Sequence, residues 1–516
     1  VFGMEFESMR LLRLLPVPKV PLLAGPGVAV VNLPDDAVVL SPPPPRAELA
    51  DVLAAVRDAL RFPLEGPSIE RIVSRGDRVT IVAELPSLPI PGAPSDPRQL
   101  AIESVSDELA RLGVPSESQT LLVAGGLARR ASARDFPLLV RPEFRRRFHG
   151  RLIVHDAEDP DLVDLGQAGN VRLAVNPALV DTDGVIVVSA AETVLHGGPA
   201  ALVAAGGAEA LRASGAWSLL QPAASQGWHI AGALERALSA RVGMLGVSLV
   251  LNHPRLLATT LRGFPFESGA INAVARSPLR RAFSLLPTPA RSLALRSLRR
   301  ELTAAAAFAG PPTVAHAEAL LRAIDTRETV LDGRLDTVVI GVPPTTPYHP
   351  RERPNPLLAA YLALGLSLRL WRDAFPVSDE GTAIVLHPFH RKFTNPTQHP
   401  YRMFFQALRY GRDPDELRSA EEAAGSDPHG IDAYRDGRTC HPLLPFADWS
   451  ACAPALSRLG SVLVAGCRDH AAARMLGLVP VHGVNAALEI ARGRQGGDLR
   501  VGAIVSPPYF PIRVSA

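Results

Sequence analysis

Apolar and polar positions alternate along this chain in two patterns. Some runs are short and almost continuously apolar, as in residues 77–84, 119–124 and 185–188. Longer segments, such as residues 46–60 and 99–112, carry apolar residues at helical spacing. Because buried parallel strands have a continuous apolar character, the first pattern predicts strands and the second predicts the helices between them. The alternation is typical of an α/β protein with mainly parallel sheets.

The same alternation continues through the second half of the chain. Strands are predicted at residues 242–251, 336–342, 381–386, 461–465 and 501–505. Helices are predicted at residues 228–240, 357–375 and 484–492. Residues 272–325 are predicted to be largely helical and are dense in arginine. We expect this Arg-rich part to be a helical insertion, either solvated or docking a partner or an acidic membrane surface.

The composition is that of a globular protein. The chain has 516 residues, of which 47% are hydrophobic and 20% charged, a size that predicts two or three domains. The formal net charge of +3 is too small to favour nucleic acid as a partner. No apolar run reaches the roughly 18–20 residues that span a bilayer, and no clean apolar block indicates a secretory signal. We therefore expect a cytoplasmic protein without a transmembrane segment.

Lysine and cysteine usage adds two constraints. Lys19 and Lys392 are the two lysines of the chain, and the other 52 basic residues are arginines. Cys440, Cys452 and Cys467 have no metal-binding spacing, and their odd number favours reduced thiols over a disulfide framework.

Residues 181–212 combine a strand, a glycine-rich loop and a small-residue helical segment. The loop contains His196 beside Gly197 and Gly198, and a second glycine pair follows at Gly206 and Gly207. Ligands of α/β proteins bind where a strand gives way to a loop and then to a helix. His196 is therefore a candidate catalytic residue. The alternative is that it is a polar residue on a glycine turn.

Several segments, in order along most of the chain, resemble motifs of the nickel-dependent lactate racemases. They are IERIVSRGDRVTIV at 69–82, His155-Asp156-Ala157, Asn176 with Asp183 and the strand VIVV, Glu192, the segment 336–347 with Asn355, and GLVPVHGVNAAL at 477–488. The resemblance implies two α/β domains around an interdomain cleft. On this basis we expect an extended N-terminal segment at 1–45, an N-terminal α/β domain at 46–240, and a C-terminal α/β domain at 241–516 with the helical insertion at about 272–325.

The resemblance also implies an isomerase that acts on 2-hydroxy acids with a lysine-tethered nickel-pincer nucleotide. The positions of the family's functional side chains fall here on Leu88, Ala128, Val194, Ala204, Leu358 and Tyr361. His196 lies two residues after the position of the histidine ligand, and Ala204 occupies the position of the tethering lysine. Because the chain has no lysine between Lys19 and Lys392, covalent tethering at the family position is excluded.

Two other strand ends carry candidate residues in the first half. Gly125 and Gly126 follow a predicted strand, and their backbone N–H groups can cradle a cofactor or anion together with Arg129. The alternative is a tight turn that leaves the strand. His155 and Asp156 end the next strand and are a candidate acid–base pair, or equally a fold-supporting pair.

Loops of the second half hold the richest set of polar side chains. Candidates for binding a small anion are His349, Arg351, His387, His390, Arg391, Lys392, His399, Arg402 and His441. We expect these loops to line the interdomain cleft, because ligands in such sheets bind at the carboxyl ends of strands. His387 and His390 are candidate metal ligands, since imidazole suits nickel or zinc. The alternative is that these loops are solvated surface.

Two functions remain open from the sequence. One is a lactate-racemase-like isomerase whose active site is degenerate or rewired. The other is a non-catalytic protein that binds a small carboxylate or phosphate through the His/Arg loops. Whether the chain is an enzyme, whether it carries nickel, and whether it forms a homo-oligomer are all left open.

Overall fold

A computed structural model describes residues 18–86, 90, 95–191, 200–215, 217–221, 225–257, 263–346, 348, 352–390, 393, 396–409, 411–496 and 498–515. Within these ranges the strands are β1 Lys19–Ala24, β2 Gly27–Asn32, β3 Val38–Leu40, β4 Val79–Glu84, β5 Gln119–Ala124, β6 Arg151–Val154, β7 Val163–Ala168, β8 Val171–Val175, β9 Gly184–Ala191, β10 Gly243–Leu251, β11 Arg255–Leu256, β12 Arg300–Glu301, β13 Ala304–Gly310, β14 Thr329–Asp332, β15 Leu335–Gly341, β16 Trp371–Arg372, β17 Val377–Leu386, β18 Leu459–Ala465, β19 Val479–Val481, β20 Val501–Ile504 and β21 Ile512–Ser515.

The helices of the same ranges lie between these strands. They are α1 Val52–Arg61, α2 Ile69–Ile72, α3 Arg98–Arg111, α4 Pro142–Arg147, α5 Ala200–Val203, α6 Ala208–Ala213, α7 Gln226–Ser239, α8 Ser268–Arg276, α9 Pro278–Leu285, α10 Thr288–Ser297, α11 Pro312–Arg327, α12 Pro356–Ala360, α13 His399–Ala407, α14 Arg418–Gly425, α15 Pro428–Arg435, α16 Leu444–Leu456, α17 His470–Met475 and α18 Val484–Gln495. None of them combines the length and the apolar character that a membrane span needs.

Two six-stranded sheets organise the described part of the chain. The first has the strand order β13-β10-β9-β4-β5-β6, and the second has the order β19-β18-β17-β15-β20-β3. Every pairing in the second sheet is parallel, and in the first only the edge strand β13 is antiparallel. All side chains of β4 and β9 are buried, as expected for strands covered by helices on both faces. The predicted α/β class with mainly parallel sheets and two sheet-based units is confirmed.

The sheets divide the chain differently from the predicted boundaries. Strands β10 and β13 follow residue 240 but pair within the first sheet. Strand β3 belongs to the predicted extended segment 1–45 but forms the edge of the second sheet beside β20. The boundary at residue 240 is therefore wrong. The apolar residues of 242–251 predict a strand, but they do not specify which of the two sheets that strand joins.

The predicted helical insertion contains an unpredicted strand. Helices α8, α9 and α10 occupy its first part, but Ala304–Gly310 forms β13 and pairs antiparallel with β10. An alanine run has high helix propensity, so local pattern alone predicts a helix there. Pairing with the edge of β10 overrides that propensity. The predicted helix at 357–375 also breaks up, with α12 continuing into a π-helix at Tyr361–Leu366 and a 3₁₀ turn at Ser367–Arg369.

A buried tyrosine at the end of α15 ties the two sheet units together. The hydroxyl of Tyr434 donates to the Gly126 carbonyl at 3.0 Å and accepts from the Ala157 amide at 3.2 Å. A few residues later, the His441 amide donates to the Leu127 carbonyl at 2.9 Å. The segment that leads into α16 is thus anchored to the loops that follow β5 and β6.

We predict that Tyr434→Phe lowers the free energy of unfolding by about 1–3 kcal/mol, because the buried Ala157 amide loses its acceptor and the Gly126 carbonyl loses its donor. Urea denaturation measures the loss. Tyr509→Phe is the matched control, since the Tyr509 hydroxyl is buried without a hydrogen-bond partner among the described residues. We expect the control to change stability by less than about 0.5 kcal/mol. Equal losses in both variants would contradict the proposed anchor.

Candidate functional site

A cavity of about 620 Å³ lies between the two sheet units. Its first wall includes Glu84 and Ala124, the last residues of β4 and β5. Its second wall includes Leu444, Ala447, Asp448 and other residues from one face of α16. The cavity therefore sits at the carboxyl ends of strands in an interdomain cleft, which is where α/β proteins bind small ligands. Its polar and charged lining consists of Glu84, Arg129, Arg212, Ser214, Gln226, His229, Tyr348, Tyr361, Arg369, Asp448 and Ser450.

Asp448 is the most unusual ionisable group of this cleft. It is 2% exposed, and its carboxylate accepts hydrogen bonds from the Tyr348 hydroxyl at 2.5 Å and the Tyr401 hydroxyl at 2.6 Å. Burial raises the pKa of Asp448 to about 7, although the two tyrosine hydrogen bonds act in the opposite direction. A carboxyl group that titrates near neutral pH in a cavity has the properties of a general acid or base.

Tyr361 and Arg369 continue the same wall. The rings of Tyr348 and Tyr361 stack with centroids 6.2 Å apart. Arg369 is 4% exposed and lies one helical segment further on, and burial lowers its pKa. The π-helix between the two is closely packed, because a Cβ on Gly365 would lie 2.5 Å from the Tyr361 ring. Such π segments frequently mark functional sites.

The opposite wall contains two of the three predicted cofactor-binding residues, Gly125 and Arg129. Arg129 lines the cavity and pairs with Asp135 at 2.8 Å. Gly126 has a φ of +54°, and its amide donates to the Ala204 carbonyl at 3.1 Å. The predicted anion cradle is therefore corrected at Gly126, because its N–H is already used by the Ala204 carbonyl, whereas Gly125 lines the cavity.

His155 serves the fold and does not line the cavity. Its Nε2 donates to the Gly206 carbonyl at 2.9 Å, and its Nδ1 accepts from Asn176 at 3.3 Å. Burial lowers the pKa of His155 to about 4. Asp156 pairs with Arg130 at 3.4 Å and Arg435 at 3.3 Å. The predicted His155–Asp156 acid–base pair is thus replaced by two separate structural contacts, since adjacent residues at a strand end point in opposite directions.

The predicted His/Arg set is divided among several places. His387 and His390 line a second cavity, Arg402 lines a shallow surface depression, and His399 is exposed at the start of α13. His441 is buried and its Nε2 lies 2.9 Å from Glu158 Oε1. The expectation that these loops jointly line the interdomain cleft is not met by the described members of the set, because none of them is among the residues that line that cleft. His196, His349, Arg351, Arg391 and Lys392 lie outside the described residues.

The described residues of the cleft do not fit a lysine-tethered nucleotide. Ala128 and Ala204 line the cavity at the positions where the resemblance implies a catalytic histidine and the tethering lysine. Lys19 lies on β1, and Lys392 is outside the described residues. No group of three or more His, Cys, Asp or Glu side chains in the described ranges is placed to hold a metal ion. The predicted metal ligands His387 and His390 therefore have no third metal-binding side chain beside them in the described ranges.

Asp448 could have been singled out from the sequence. It is the one charged residue in the otherwise apolar helix LPFADWSACAPAL, and a lone carboxylate among apolar residues indicates either a buried partner or a function. Its partners Tyr348 and Tyr401 are separated from it by 100 and 47 positions. No local pattern connects them.

Comparison with known proteins identifies the N-terminal part and the fold. Residues 25–197 match the lactate racemase N-terminal domain. The lactate racemase apoprotein from Thermoanaerobacterium thermosaccharolyticum is similar in structure, with a TM-score of 0.59 and 14% sequence identity over 96% of this chain and 100% of that one. A Thermotoga maritima structural-genomics target is also similar, with a TM-score of 0.47 and 12% identity over 91% of this chain and 100% of that one. No curated protein matches the chain.

We predict that Asp448→Asn changes the pH dependence of stability. The pKa of this carboxyl is about 7 in the folded protein, against 3.8 for a free aspartate, so the folded state holds the extra proton between these pH values. Wild-type stability relative to the variant should therefore fall as pH rises from about 4 to 7, by at most about 1.4 kcal/mol per pH unit.

Denaturation of both proteins at pH 5 and pH 8 measures this difference and cancels the contribution of the buried histidines. Asp36→Asn, at an exposed aspartate of the β2–β3 turn, is the matched control and should show no such trend. A wild-type-to-variant difference that is constant between pH 5 and pH 8 would refute the raised pKa.

Proposed function

We propose that this chain, a lactate-racemase-like protein by its N-terminal domain and its fold, binds a small 2-hydroxy acid in its interdomain cleft and has a rewired active site. The observation that carries the proposal is the Asp448–Tyr348 pair. Its buried carboxyl has a pKa of about 7 and is hydrogen-bonded at 2.5 Å to a tyrosine that lines the cavity.

Isomerisation at a hydroxyl-bearing carbon requires a group that takes and returns a proton. Tyr348 and Asp448 both line the cavity, and the tyrosine hydroxyl donates to Asp448 Oδ1. When a substrate proton reaches the Tyr348 hydroxyl, the phenolic proton can pass to Asp448. Tyr401 holds the other carboxylate oxygen at 2.6 Å and so fixes the orientation of the carboxyl group.

The arginines of the cleft suit the carboxylate of such a substrate. Arg129, Arg212 and Arg369 line the cavity, and a guanidinium can bind a carboxylate through two parallel hydrogen bonds. Arg129 pairs with Asp135 and Arg212 pairs with Glu421, which holds both side chains in place. Arg369 lies beside Tyr361 in the wall that also carries Asp448. A carboxylate held there would place the neighbouring carbon near Tyr348.

A second function is a non-catalytic carboxylate-binding protein. The alanines at Ala128 and Ala204 favour it, because they remove ionisable groups from the cavity wall without a local replacement. The two functions share a ligand class and differ only in turnover. An experiment that measures binding and turnover separately distinguishes them.

We predict that Asp448→Asn and Tyr348→Phe each reduce turnover of the best 2-hydroxy acid by about 100-fold or more, which is the usual contribution of general acid–base catalysis. Binding should change by less than about tenfold, because neither variant removes a cleft arginine. Chiral chromatography of lactate and its 2-hydroxy-acid analogues measures turnover, and calorimetry measures binding. Tyr509→Phe, outside the cavity, is the control.

Each outcome decides between the functions. Turnover that survives unchanged in Asp448→Asn would exclude the rewired site. Binding without turnover in the wild type would favour the non-catalytic function. If the wild-type protein neither binds nor converts lactate or any of the 2-hydroxy-acid analogues, the proposal is overturned.

We also predict that the protein takes up no covalently bound nickel-pincer nucleotide. Expression together with the enzymes that make this cofactor should give a protein of unmodified mass with less than about 0.1 nickel per chain, because lysine is missing from the family position. Intact-mass spectrometry and metal analysis are the measurements. A mass increase or stoichiometric nickel would show that the cofactor is held by other residues.

A further inference from the structure

A second cavity, of about 900 Å³, is lined largely by residues of the C-terminal unit. Its walls are formed by the turn of the β1–β2 hairpin, by α10 of the Arg-rich segment, and by the loops that follow β15, β17 and β18. Its charged and ionisable lining residues are Arg291, Arg296, Arg353, Arg468, His387 and His390. No aspartate or glutamate lines this cavity in the described part of the chain.

The positive charge of this cavity is not balanced locally. Arg291, Arg353 and Arg468 form no ion pair with a carboxylate among the described residues. The Nε of Arg291 is buried and has no hydrogen-bond partner in those ranges. Three guanidiniums without acidic partners around one cavity, one of them with a buried Nε that has no hydrogen-bond partner in those ranges, favour an anion as the ligand.

The floor of the cavity presents a fixed hydrogen-bond donor. His387 is 4% exposed, and its Nδ1 accepts the Phe389 amide proton at 3.2 Å. A nitrogen that accepts carries no proton, so the proton of the neutral ring lies on Nε2, which becomes a donor. Burial keeps the ring in this form by lowering the pKa of His387 to about 3.

Two glycines keep the cavity open. A Cβ on Gly25 would lie 3.3 Å from His387 Nε2, and a Cβ on Gly27 would lie 3.5 Å from the guanidinium of Arg291. Gly25 also has a φ of +55°, and its amide donates to the Val342 carbonyl at 2.8 Å. This hydrogen bond fixes the hairpin turn to the end of β15. The two glycines leave His387 Nε2 and the Arg291 guanidinium uncovered.

We infer that this cavity is a binding site for a small molecule that carries several phosphate groups. Its volume is within the range of about 300–1,000 Å³ that small-molecule sites occupy. A single carboxylate needs one guanidinium, whereas several phosphates need donors on more than one side, and here arginines come from α10 and from two separate loops. Guanidinium groups match phosphate oxygens geometrically. This site is distinct from the interdomain cleft, because the two cavities share no lining residue.

The test uses the full chain and inorganic tripolyphosphate as the probe, with orthophosphate and citrate as comparisons. Calorimetry of the wild type should show one site, with tripolyphosphate bound more tightly than orthophosphate or citrate. Arg291→Ala, Arg353→Ala and Arg468→Ala should each weaken binding by about 10- to 100-fold, the usual effect of losing hydrogen bonds to a charged group. Arg353 and Arg468 are exposed, so these variants should fold normally.

Arg281→Ala is the matched control, since Arg281 is exposed on α9 of the same Arg-rich segment but does not line the cavity. It should leave binding unchanged. Equal weakening in Arg281→Ala and the three cavity variants would overturn the proposal in favour of diffuse surface attraction. Absence of tripolyphosphate binding, or binding only of DNA or of anionic vesicles, would overturn it as well. Asp448→Asn should bind tripolyphosphate as the wild type does, so failure of the cleft function and failure of this site are distinguishable.

Discussion

Tyr434 places one buried hydroxyl between two backbone groups of the first domain, the carbonyl of Gly126 and the amide of Ala157. Both groups lie in loops at the carboxyl ends of parallel strands, and Tyr434 itself leads into the helix that carries Asp448. The position of Asp448 relative to Arg129 and Ala204 therefore depends on this contact. The same two walls are also joined by the hydrogen bond from the His441 amide to the Leu127 carbonyl and by a hydrophobic cluster that includes Leu127, Ala157 and Leu444.

The two cavities of the molecule differ in their chemistry. The cleft combines a carboxyl group of raised pKa, tyrosine hydroxyls and arginines that are held by acidic partners. The second cavity has arginines and imidazoles without acidic neighbours in its described lining. The first arrangement suits proton transfer on a bound carboxylate, and the second suits binding of a multiply charged anion without chemistry. Because their linings differ in this way, we expect the two cavities to bind different ligands.

The fold of this chain is similar to that of a lactate racemase apoprotein, although the two sequences are only 14% identical. Strands β4, β5 and β9 are mainly apolar and almost entirely buried, a requirement that many sequences meet. The positions where the resemblance implies a catalytic histidine and a tethering lysine carry Ala128 and Ala204, which line the cleft. Similarity of fold alone therefore does not establish the function of this chain, because function depends on the residues of a site.

The sequence predicts the fold well wherever the pattern is local. Strand β5 has the predicted bounds, and β9 and β17 extend the predicted strands by a few residues. Strand β13 was not predictable from its alanine run, because the edge of β10 decides its conformation. The site was less predictable, for a related reason. Asp448 acquires its character from burial and from Tyr348 and Tyr401, which are distant in sequence, whereas the conspicuous histidines His155 and His441 are occupied by structural hydrogen bonds.

The central claim is that Asp448 exchanges protons in a cleft that binds a carboxylate. Carbon-13 NMR of the aspartate side-chain carboxyls, with Asp448→Asn for assignment, follows its titration directly. We predict a pKa of about 7 for Asp448 and a further change of this pKa when a 2-hydroxy acid binds. A carboxyl that titrates near pH 4 in the folded protein, or a pKa that does not respond to any bound 2-hydroxy acid, would contradict the account.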